Sequence, residues 1–300
     1  MDRYNKVYTL GLCLLVSCGL YSCSESETAV SDGRIAIEAH YPGAPLRATA
    51  SGFEEGDAIG LFVTKYEGEA QSPLQISGNY GNNSKCTLRA GKWEITPPVY
   101  WSEGHFDLYA YYPYDEAMRS VDRYRFSVRG DQAAIDQTSG KSGYALSDLL
   151  YAQSLDVKEQ KVVPLSFRHL MSKLTIKLVK GKDYYGDLPK EMTVMVHGTC
   201  LTAEVDLATG DLVARPGSIS SIKARRVRQT TDDAVYEALI VPQRLEYRVP
   251  LVELISKDVS YLYESRFDFR SGVSHTLSII LSDNPDRVSI QIGGEVEGWN

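Results

Sequence analysis

The sequence predicts an all-β protein built mainly from antiparallel sheets, and three observations support this fold class. Short runs of alternating apolar and polar residues recur through most of the chain, separated by turns rich in Gly, Pro, Asn and Asp. The chain has 20 Tyr against 7 Phe, and tyrosine suits half-buried sheet surfaces. A helical period is found only in short pieces, such as residues 170–173. Together these features are typical of β-sandwiches.

Length and charge limit the organisation and the partners. At about 150 residues per domain, 300 residues predict two domains. We place their boundary near residue 165, after the charged residues 158–161 and Pro164, which divides the folded part into 34–164 and 165–300. The net charge is −7 and no basic block is present, which argues against nucleic acid as a partner.

The first 22 residues have the organisation of an export signal. Arg3 and Lys6 precede an apolar run at residues 7–16, which is too short to span a bilayer. Two tetrads that resemble the bacterial lipoprotein signal follow, ending at Cys18 and at Cys23. We favour Cys23, because an acidic Ser/Glu run comes directly after it and resembles a surface-export signal. Residues 1–22 are then a lipoprotein signal peptide and residues 23–33 an acidic tether.

The strands predicted by alternation and β-propensity are bounded by turn residues. Residues 79–84 and 130–148 are predicted loops. The predicted strands cover residues 34–40, 58–64, 93–96, 106–112, 149–152, 173–179, 193–196, 203–207, 236–241, 249–255, 261–267, 275–281 and 288–292.

No motif in the chain predicts catalysis, a cofactor or a metal. The Gly-Lys-Ser at residues 140–142 lacks the upstream glycine of a phosphate loop, a position that Ile135 occupies. The five histidines are scattered singly, and a packed, hydrogen-bonded role is predicted for His169. Cys86 and Cys200 are predicted to be single buried thiols rather than part of a disulfide framework. Glu54, Glu55 and Asp57 sit in a turn and are predicted to be solvated.

An aromatic run at residues 109–114 has two interpretations. Tyr109 and Tyr111 could form a platform on which sugars stack. The alternative, which we favour, is an ordinary strand with Leu108, Ala110 and Tyr112 on one face and the two tyrosines on the other.

The mature chain resembles the fimbrillin family, the subunits of Bacteroidia type V fimbriae. Each matching segment is a packing or turn pattern, and the segments occur in family order. They are Arg47-Ala48-Thr49, residues 53–62, Tyr100-Trp101, residues 106–114, Leu149-Leu150-Tyr151-Ala152, residues 165–170, Ile240-Val241-Pro242-Gln243, Phe269-Arg270-Ser271-Gly272 and Gly298-Trp299.

This resemblance implies two tandem transthyretin-like β-sandwich domains and a structural, non-enzymatic role in fimbriae. It implies other fimbrial subunits as partners, in a homo- or hetero-polymer. It also implies a lipid anchor in the outer membrane and adhesion to host or bacterial surface ligands. In the family, a cut after an arginine releases the first strand, and a strand of the next subunit replaces it.

On this sequence, the resemblance assigns the cut to Arg47. The leaving strand would present Ile35, Ile37 and Ala39. The incoming strand would be the C-terminal one, which alternates in the same way through Val288, Ile290 and Ile292.

Two alternatives remain open at this stage. A surface-anchored glycan-binding lipoprotein would use Tyr109 and Tyr111. A sandwich-fold glycosidase would need two facing carboxylates in a cleft, at a separation that sequence does not give.

We predict lipidation at Cys23, since several acyl chains on one residue hold a protein firmly to a membrane. Cells should incorporate labelled fatty acid into the protein. Cys23→Ala should abolish the labelling, and Cys18→Ala should leave it unchanged. Labelling that survives in Cys23→Ala and disappears in Cys18→Ala would move the site to Cys18.

Overall fold

The computed structural model describes residues 33–42, 52–256, 259–282 and 289–297, and these residues form an all-β protein. Two short 3-10 turns are present, Ala145–Ser147 and Pro216–Ser218, and no α-helix occurs among the described residues. The strands, in chain order, are β1 (Ile37–His40), β2 (Ala58–Lys65), β3 (Gly81–Arg89), β4 (Lys92–Thr96), β5 (Phe106–Tyr112), β6 (Tyr124–Ser127), β7 (Leu150–Val157), β8 (Val163–Ser166), β9 (Arg168–His169), β10 (Ser172–Lys180), β11 (Thr193–Cys200), β12 (Thr202–Asp206), β13 (Asp211–Ala214), β14 (Ile219–Lys223), β15 (Arg225–Gln229), β16 (Asp233–Ile240), β17 (Gln243–Ser256), β18 (Val259–Phe269), β19 (Val273–Leu281) and β20 (Ser289–Glu297).

The first half of the chain is organised around a six-stranded antiparallel sheet. Its strand order is β4-β3-β2-β5-β7-β9. The central strand β5 has the predicted bounds, and all seven of its residues are buried. Leu108, Ala110 and Tyr112 belong to one core cluster, and Tyr109 and Tyr111 belong to another. The predicted alternation is therefore confirmed, and the sheet is covered on both faces.

A glycine makes room for one of the largest fully buried side chains of this sheet, Tyr111. Gly60 on β2 pairs with Tyr111 on β5. A Cβ atom at residue 60 would lie only 2.1 Å from the Tyr111 ring, so any larger residue would displace it. The ring therefore lies flat against bare backbone, and its hydroxyl donates a 2.8 Å hydrogen bond to Asn83 Oδ1.

The second half contains a five-stranded sheet of order β15-β16-β10-β19-β20 and a four-stranded sheet of order β14-β11-β17-β18. Pairing is antiparallel except between β10 and β19, which run parallel. Along β10, Leu174, Ile176 and Leu178 alternate as buried residues with the more exposed Thr175 and Lys177. This period of two places one face of β10 in the core.

Strands from the two halves also pair with each other. β6 lies before residue 165 and β12 after it, and they join with β13 in a three-stranded sheet. Phe126 pairs with Ala203, and both belong to a core cluster that contains residues of both halves. The division into two domains at residue 165 stays a prediction.

Two local predictions were wrong. Residues 79–84 were expected to be a loop, but β3 begins at Gly81, because the backbone there pairs with β2 through Gly81 and Ser84. Sheet pairing outweighs the weak strand propensity of Asn and Ser there. Residues 170–173 were a helical candidate, but β10 begins at Ser172.

Core packing on β10 gives a direct test of these assignments. Leu174 is fully buried, whereas Val179 on the same strand is 40% exposed. We expect Leu174→Ala to lower the free energy of unfolding by about 2–5 kcal/mol, because it leaves a cavity. Val179→Ala should change it by about 0.5 kcal/mol or less. Urea denaturation measures both, and equal losses would contradict the assigned faces.

Candidate functional site

The N-terminal segment at residues 33–42 is held between two other parts of the first half. On one side, β1 runs parallel to β8, with Ile37 opposite Val163 and Ala39 opposite Leu165. The Val163 amide donates to the Ala36 carbonyl at 2.8 Å. Residues 37–40 of the segment therefore have a regular strand partner.

On its other side, the segment meets the connection between β4 and β5. The Ile35 amide donates to the Val99 carbonyl at 2.8 Å, and the Trp101 amide donates to the Gly33 carbonyl at 2.6 Å. Removal of the segment would therefore leave backbone groups unpaired on both sides. Unpaired buried backbone groups are strongly unfavourable.

The side chains of the segment complete a core. Ile35 and Ile37 are buried in the cluster formed by the six-stranded sheet and β8, and Ala39 packs against the same cluster. Burial of each isoleucine contributes about 1.5–3 kcal/mol. The predicted inward face of this strand is confirmed. Its regular pairing begins at Ile37, and Arg34 instead forms an isolated bridge to Tyr100.

Tyr41 continues the inward face and joins an aromatic cluster. Its ring lies 5.3 Å from that of Phe53, edge to face. Phe53 in turn has edge-to-face contacts with Trp93, Tyr112 and Phe167, at 5.1 to 5.6 Å between centroids. Residues 43–51 lie between Tyr41 and Phe53 in sequence and outside the described residues. This cluster therefore holds the two ends of that segment together.

A buried polar triad fixes the end of the same strand. The Tyr41 hydroxyl donates to Asp148 Oδ2 at 3.1 Å, and His169 Nδ1 lies 2.8 Å from Asp148 Oδ1. Burial, followed by the Asp148 charge, raises the pKa of Tyr41 far above its usual range, so the hydroxyl remains a donor. The packed, hydrogen-bonded role predicted for His169 is confirmed.

Asp57 forms a second buried polar group near this cluster. It was expected to be solvated, but it is buried and paired with Lys141. The Lys141 ammonium also donates to the Tyr112 hydroxyl at 2.9 Å, and the Glu54 amide donates to Asp57 Oδ2 at 2.8 Å. A buried carboxylate is stable only with such partners. Lys141 belongs to the sequence that resembles a phosphate loop. In the structure its ammonium group forms an ion pair with Asp57.

The C-terminal strand lies at the edge of the five-stranded sheet. Among the described residues, β20 pairs only with β19, with Ile290 opposite Ile279 and Ile292 opposite Leu277. The strand expected at residues 288–292 is therefore present from Ser289 onwards, and Val288 lies outside the described residues. The proposed incoming strand thus occupies a place from which only one partner would have to be released.

The sugar-platform interpretation of the aromatic run is wrong. Tyr109 is 4% exposed and Tyr111 is 1% exposed, so neither ring can stack on a ligand. The reason is that β5 is the central strand of a sheet covered on both faces.

Other residues singled out by the sequence are distributed as follows. Cys86 and Cys200 are free and buried, as predicted. Cys23 and Arg47 lie outside the described residues, so lipidation and cleavage there stay predictions. Within the described part of the chain, no group of three or more His, Cys, Asp or Glu side chains could hold a metal ion. No helix in that part is long and apolar enough to cross a membrane.

Sequence reasoning missed the aromatic cluster and the triad at the end of β1. A signal was available, since Tyr41 continues the alternation of Ile35, Ile37 and Ala39. The partners of Tyr41 could not be found in this way, because Asp148 and His169 are distant in sequence and approach only in the folded chain.

Solved structures from Bacteroides have the same fold. A candidate cell adhesion protein of Bacteroides ovatus is 18% identical with a TM-score of 0.69, over 88% of this chain and 96% of that one. A candidate cell adhesion protein of Bacteroides uniformis is 21% identical with a TM-score of 0.60, over 89% and 100%. A fimbrial protein of Bacteroides vulgatus is 11% identical with a TM-score of 0.54, over 89% and 99%. The protein therefore has the all-β fold found in fimbrial and cell adhesion proteins.

The sequence itself identifies the family. The fimbrillin-like family model matches residues 47–299, and the chain belongs to this family. The resemblance described from sequence motifs is thus confirmed. No curated protein matches the sequence. Family membership places the protein among fimbrial and adhesion proteins of the cell surface, which are typically not enzymes.

We predict that the hydrogen bond from Tyr41 to Asp148 slows the opening of the N-terminal strand. Tyr41→Phe removes one hydrogen bond to a buried carboxylate, which costs about 1 kcal/mol. Amide hydrogen exchange at residues 35–40 should become roughly fivefold faster. Tyr66→Phe is the matched control, because Tyr66 also donates to a buried aspartate, Asp107, at 3.2 Å. If both variants accelerate exchange in β1 equally, the triad does not hold this strand.

Proposed function

We propose that this protein is a structural subunit of cell-surface fimbriae that assembles by β-strand exchange. In this proposal, cleavage at Arg47 releases the N-terminal strand, and the C-terminal strand of another subunit replaces it. The observation that carries the proposal is the position of residues 33–42, hydrogen-bonded on both sides and buried through Ile35 and Ile37. Arg47 follows this segment closely in sequence.

Loss of the first strand would leave an empty groove that binds a replacement strand strongly. The vacated groove would expose the apolar core that Ile35 and Ile37 now cover, together with the backbone of β8. Both changes are unfavourable in water, so a replacement strand is strongly favoured. Strand addition satisfies both requirements, since main-chain hydrogen bonds give affinity and alternate side chains fill the pockets.

The C-terminal strand supplies the matching pattern. Val288, Ile290 and Ile292 alternate in sequence as Ile35, Ile37 and Ala39 do. β20 is bonded to a single neighbour, and Gly293 and Gly294 give its backbone conformational freedom. Detachment of β20 would therefore break one ladder and allow it to pair with another subunit.

The anchoring part of the proposal rests on the sequence. Lipid on Cys23 would hold the subunit at the outer membrane, exposed at the surface, until residues 23–47 are removed. Each half of the folded chain would correspond to one transthyretin-like sandwich. The partners are then other fimbrial subunits, and the finished fibre would contact host or bacterial surfaces.

Polymerisation after trimming tests the mechanism. Purified protein treated with an arginine-specific protease should lose the residues up to and including Arg47 and form ladders of polymers on gels. Arg47→Ala should be neither trimmed nor polymerised. Arg89→Ala, at an exposed arginine on β3, is the control and should behave as wild type.

A truncated chain tests the donor strand. A chain ending at residue 287 should be trimmed but should not polymerise alone. Mixed with wild type, it should shorten the polymers, because it accepts a strand and offers none. Wild type that is trimmed at Arg47 yet stays monomeric would exclude strand exchange for this subunit. Arg47→Ala that polymerises normally would exclude Arg47 as the cleavage site.

A further inference from the structure

An unusually long connection between β2 and β3 forms a cleft on the surface of the first half. The two strands are antiparallel neighbours, yet residues 66–80 separate them. Adjacent strands normally need about 2–5 connecting residues, and longer loops in compact proteins often serve a function. The cleft has a volume of about 490 Å³, within the range of small-molecule sites.

Two aromatic rings and several uncharged polar side chains line this cleft. Tyr66 and Tyr80 line it, together with the side-chain amides of Gln71, Gln75 and Asn79. Tyr80 is 39% exposed. Aromatic rings give a flat apolar surface, and amides both donate and accept hydrogen bonds. This combination matches a ligand that carries C–H faces and many hydroxyl groups.

The residues of the cleft are held in place before any ligand binds. The Tyr80 ring lies 5.1 Å from the Phe106 ring, and the Lys65 ammonium lies 5.9 Å from the Tyr80 centroid. Asn79 donates to the Gln75 carbonyl at 2.6 Å, and Asn79 Oδ1 accepts from the Gln75 amide at 3.0 Å. Such preorganisation lowers the entropic cost of binding.

A buried aspartate behind the lining orients two of its side chains. Asp107 is fully buried, and its carboxylate accepts hydrogen bonds from the Tyr66 hydroxyl at 3.2 Å and from Gln71 Nε2 at 2.7 Å. The Asp156 amide donates to it as well, at 2.8 Å. The amide oxygen of Gln71 makes no hydrogen bond within the described part of the chain. Gln71 is therefore oriented by its nitrogen and presents an acceptor.

One buried hydroxyl in the lining lacks a partner. Thr64 is 1% exposed, and its Oγ1 has no hydrogen-bond partner within the described residues. A buried polar atom without a partner costs about 1–3 kcal/mol. Rotation of the Thr64 side chain towards the cleft would let a polar ligand or a water satisfy this hydroxyl group.

We propose that this cleft binds a neutral saccharide, with one sugar ring packed against Tyr80 and its hydroxyl groups bonded to Gln71, Gln75 and Asn79. The charged lining residues, Lys65 and Glu67, have opposite signs, so no net charge selects an ionic ligand. An extended peptide would need an exposed strand edge or apolar pockets. The aliphatic lining consists only of Ala70 and Pro73, which is too little for a peptide side chain.

Binding of defined oligosaccharides to the purified full chain tests this site. The probes are immobilised neutral oligosaccharides of hexose and N-acetylhexosamine, and the strongest binder is then titrated calorimetrically. Tyr80→Ala should weaken binding about tenfold or more, since an aromatic anchor is removed. Tyr80→Phe should retain binding within about threefold, because the ring surface remains.

Two controls separate binding from folding. Tyr185→Ala removes a tyrosine that is 80% exposed and absent from the cleft, and it should bind as wild type. Urea denaturation should show that each variant is fully folded under the binding conditions, with at most a small loss of stability in Tyr80→Ala, which gives up the contact with Phe106. Absence of binding to every probe at millimolar concentration would overturn the proposal. Binding that Tyr80→Ala retains, or that Tyr185→Ala loses equally, would overturn it as well.

The effect of these substitutions on saccharide binding should be separate from any effect on fimbrial assembly. Tyr80→Ala should be trimmed and polymerised as wild type, because Tyr80 is not among the residues that hold β1 or β20. Loss of saccharide binding with normal polymerisation supports the cleft as a separate site.

Discussion

The structure of the first half depends on one constraint, which is that its central sheet must be buried on both faces. β5 lies in the middle of that sheet, and no residue of it reaches solvent. One face needs the cluster that Tyr109 and Tyr111 join, and the other needs β1 and β8. The N-terminal segment is therefore part of the core rather than an appendage. In the described part of the chain, β1 and β8 form a two-stranded sheet with each other, and they are attached to the first half through this core.

The fold class and many strands could be predicted from sequence, because alternation is a local signal. Residues 106–112 were predicted as a strand and form β5 with the same bounds. Strand pairing was harder to predict, because the sequence of one strand says little about which strand lies beside it. The parallel contact of β1 with β8 and the joining of β6 to β12 across the chain depend on tertiary packing.

The candidate site was predictable in its apolar part only. Ile35, Ile37 and Ala39 follow a period of two that sequence reveals directly. The polar contacts were not predictable, and Asp57 was misjudged for this reason. Its environment depends on Lys141, which is far along the chain, and nothing in the turn before Asp57 indicates that partner. Buried ion pairs of this kind have no local sequence pattern.

The attachment of β1 to the rest of the chain has a consequence for competition between subunits. While the chain between residues 42 and 52 is intact, β1 is covalently tethered to the groove that it fills, and it binds there as an intramolecular ligand. A short tether gives such a ligand an effective concentration in the millimolar range. Strands of neighbouring molecules, at much lower concentration, cannot displace it by mass action. A break in the chain between these residues turns the first strand into an ordinary solute, which dilutes away once it dissociates.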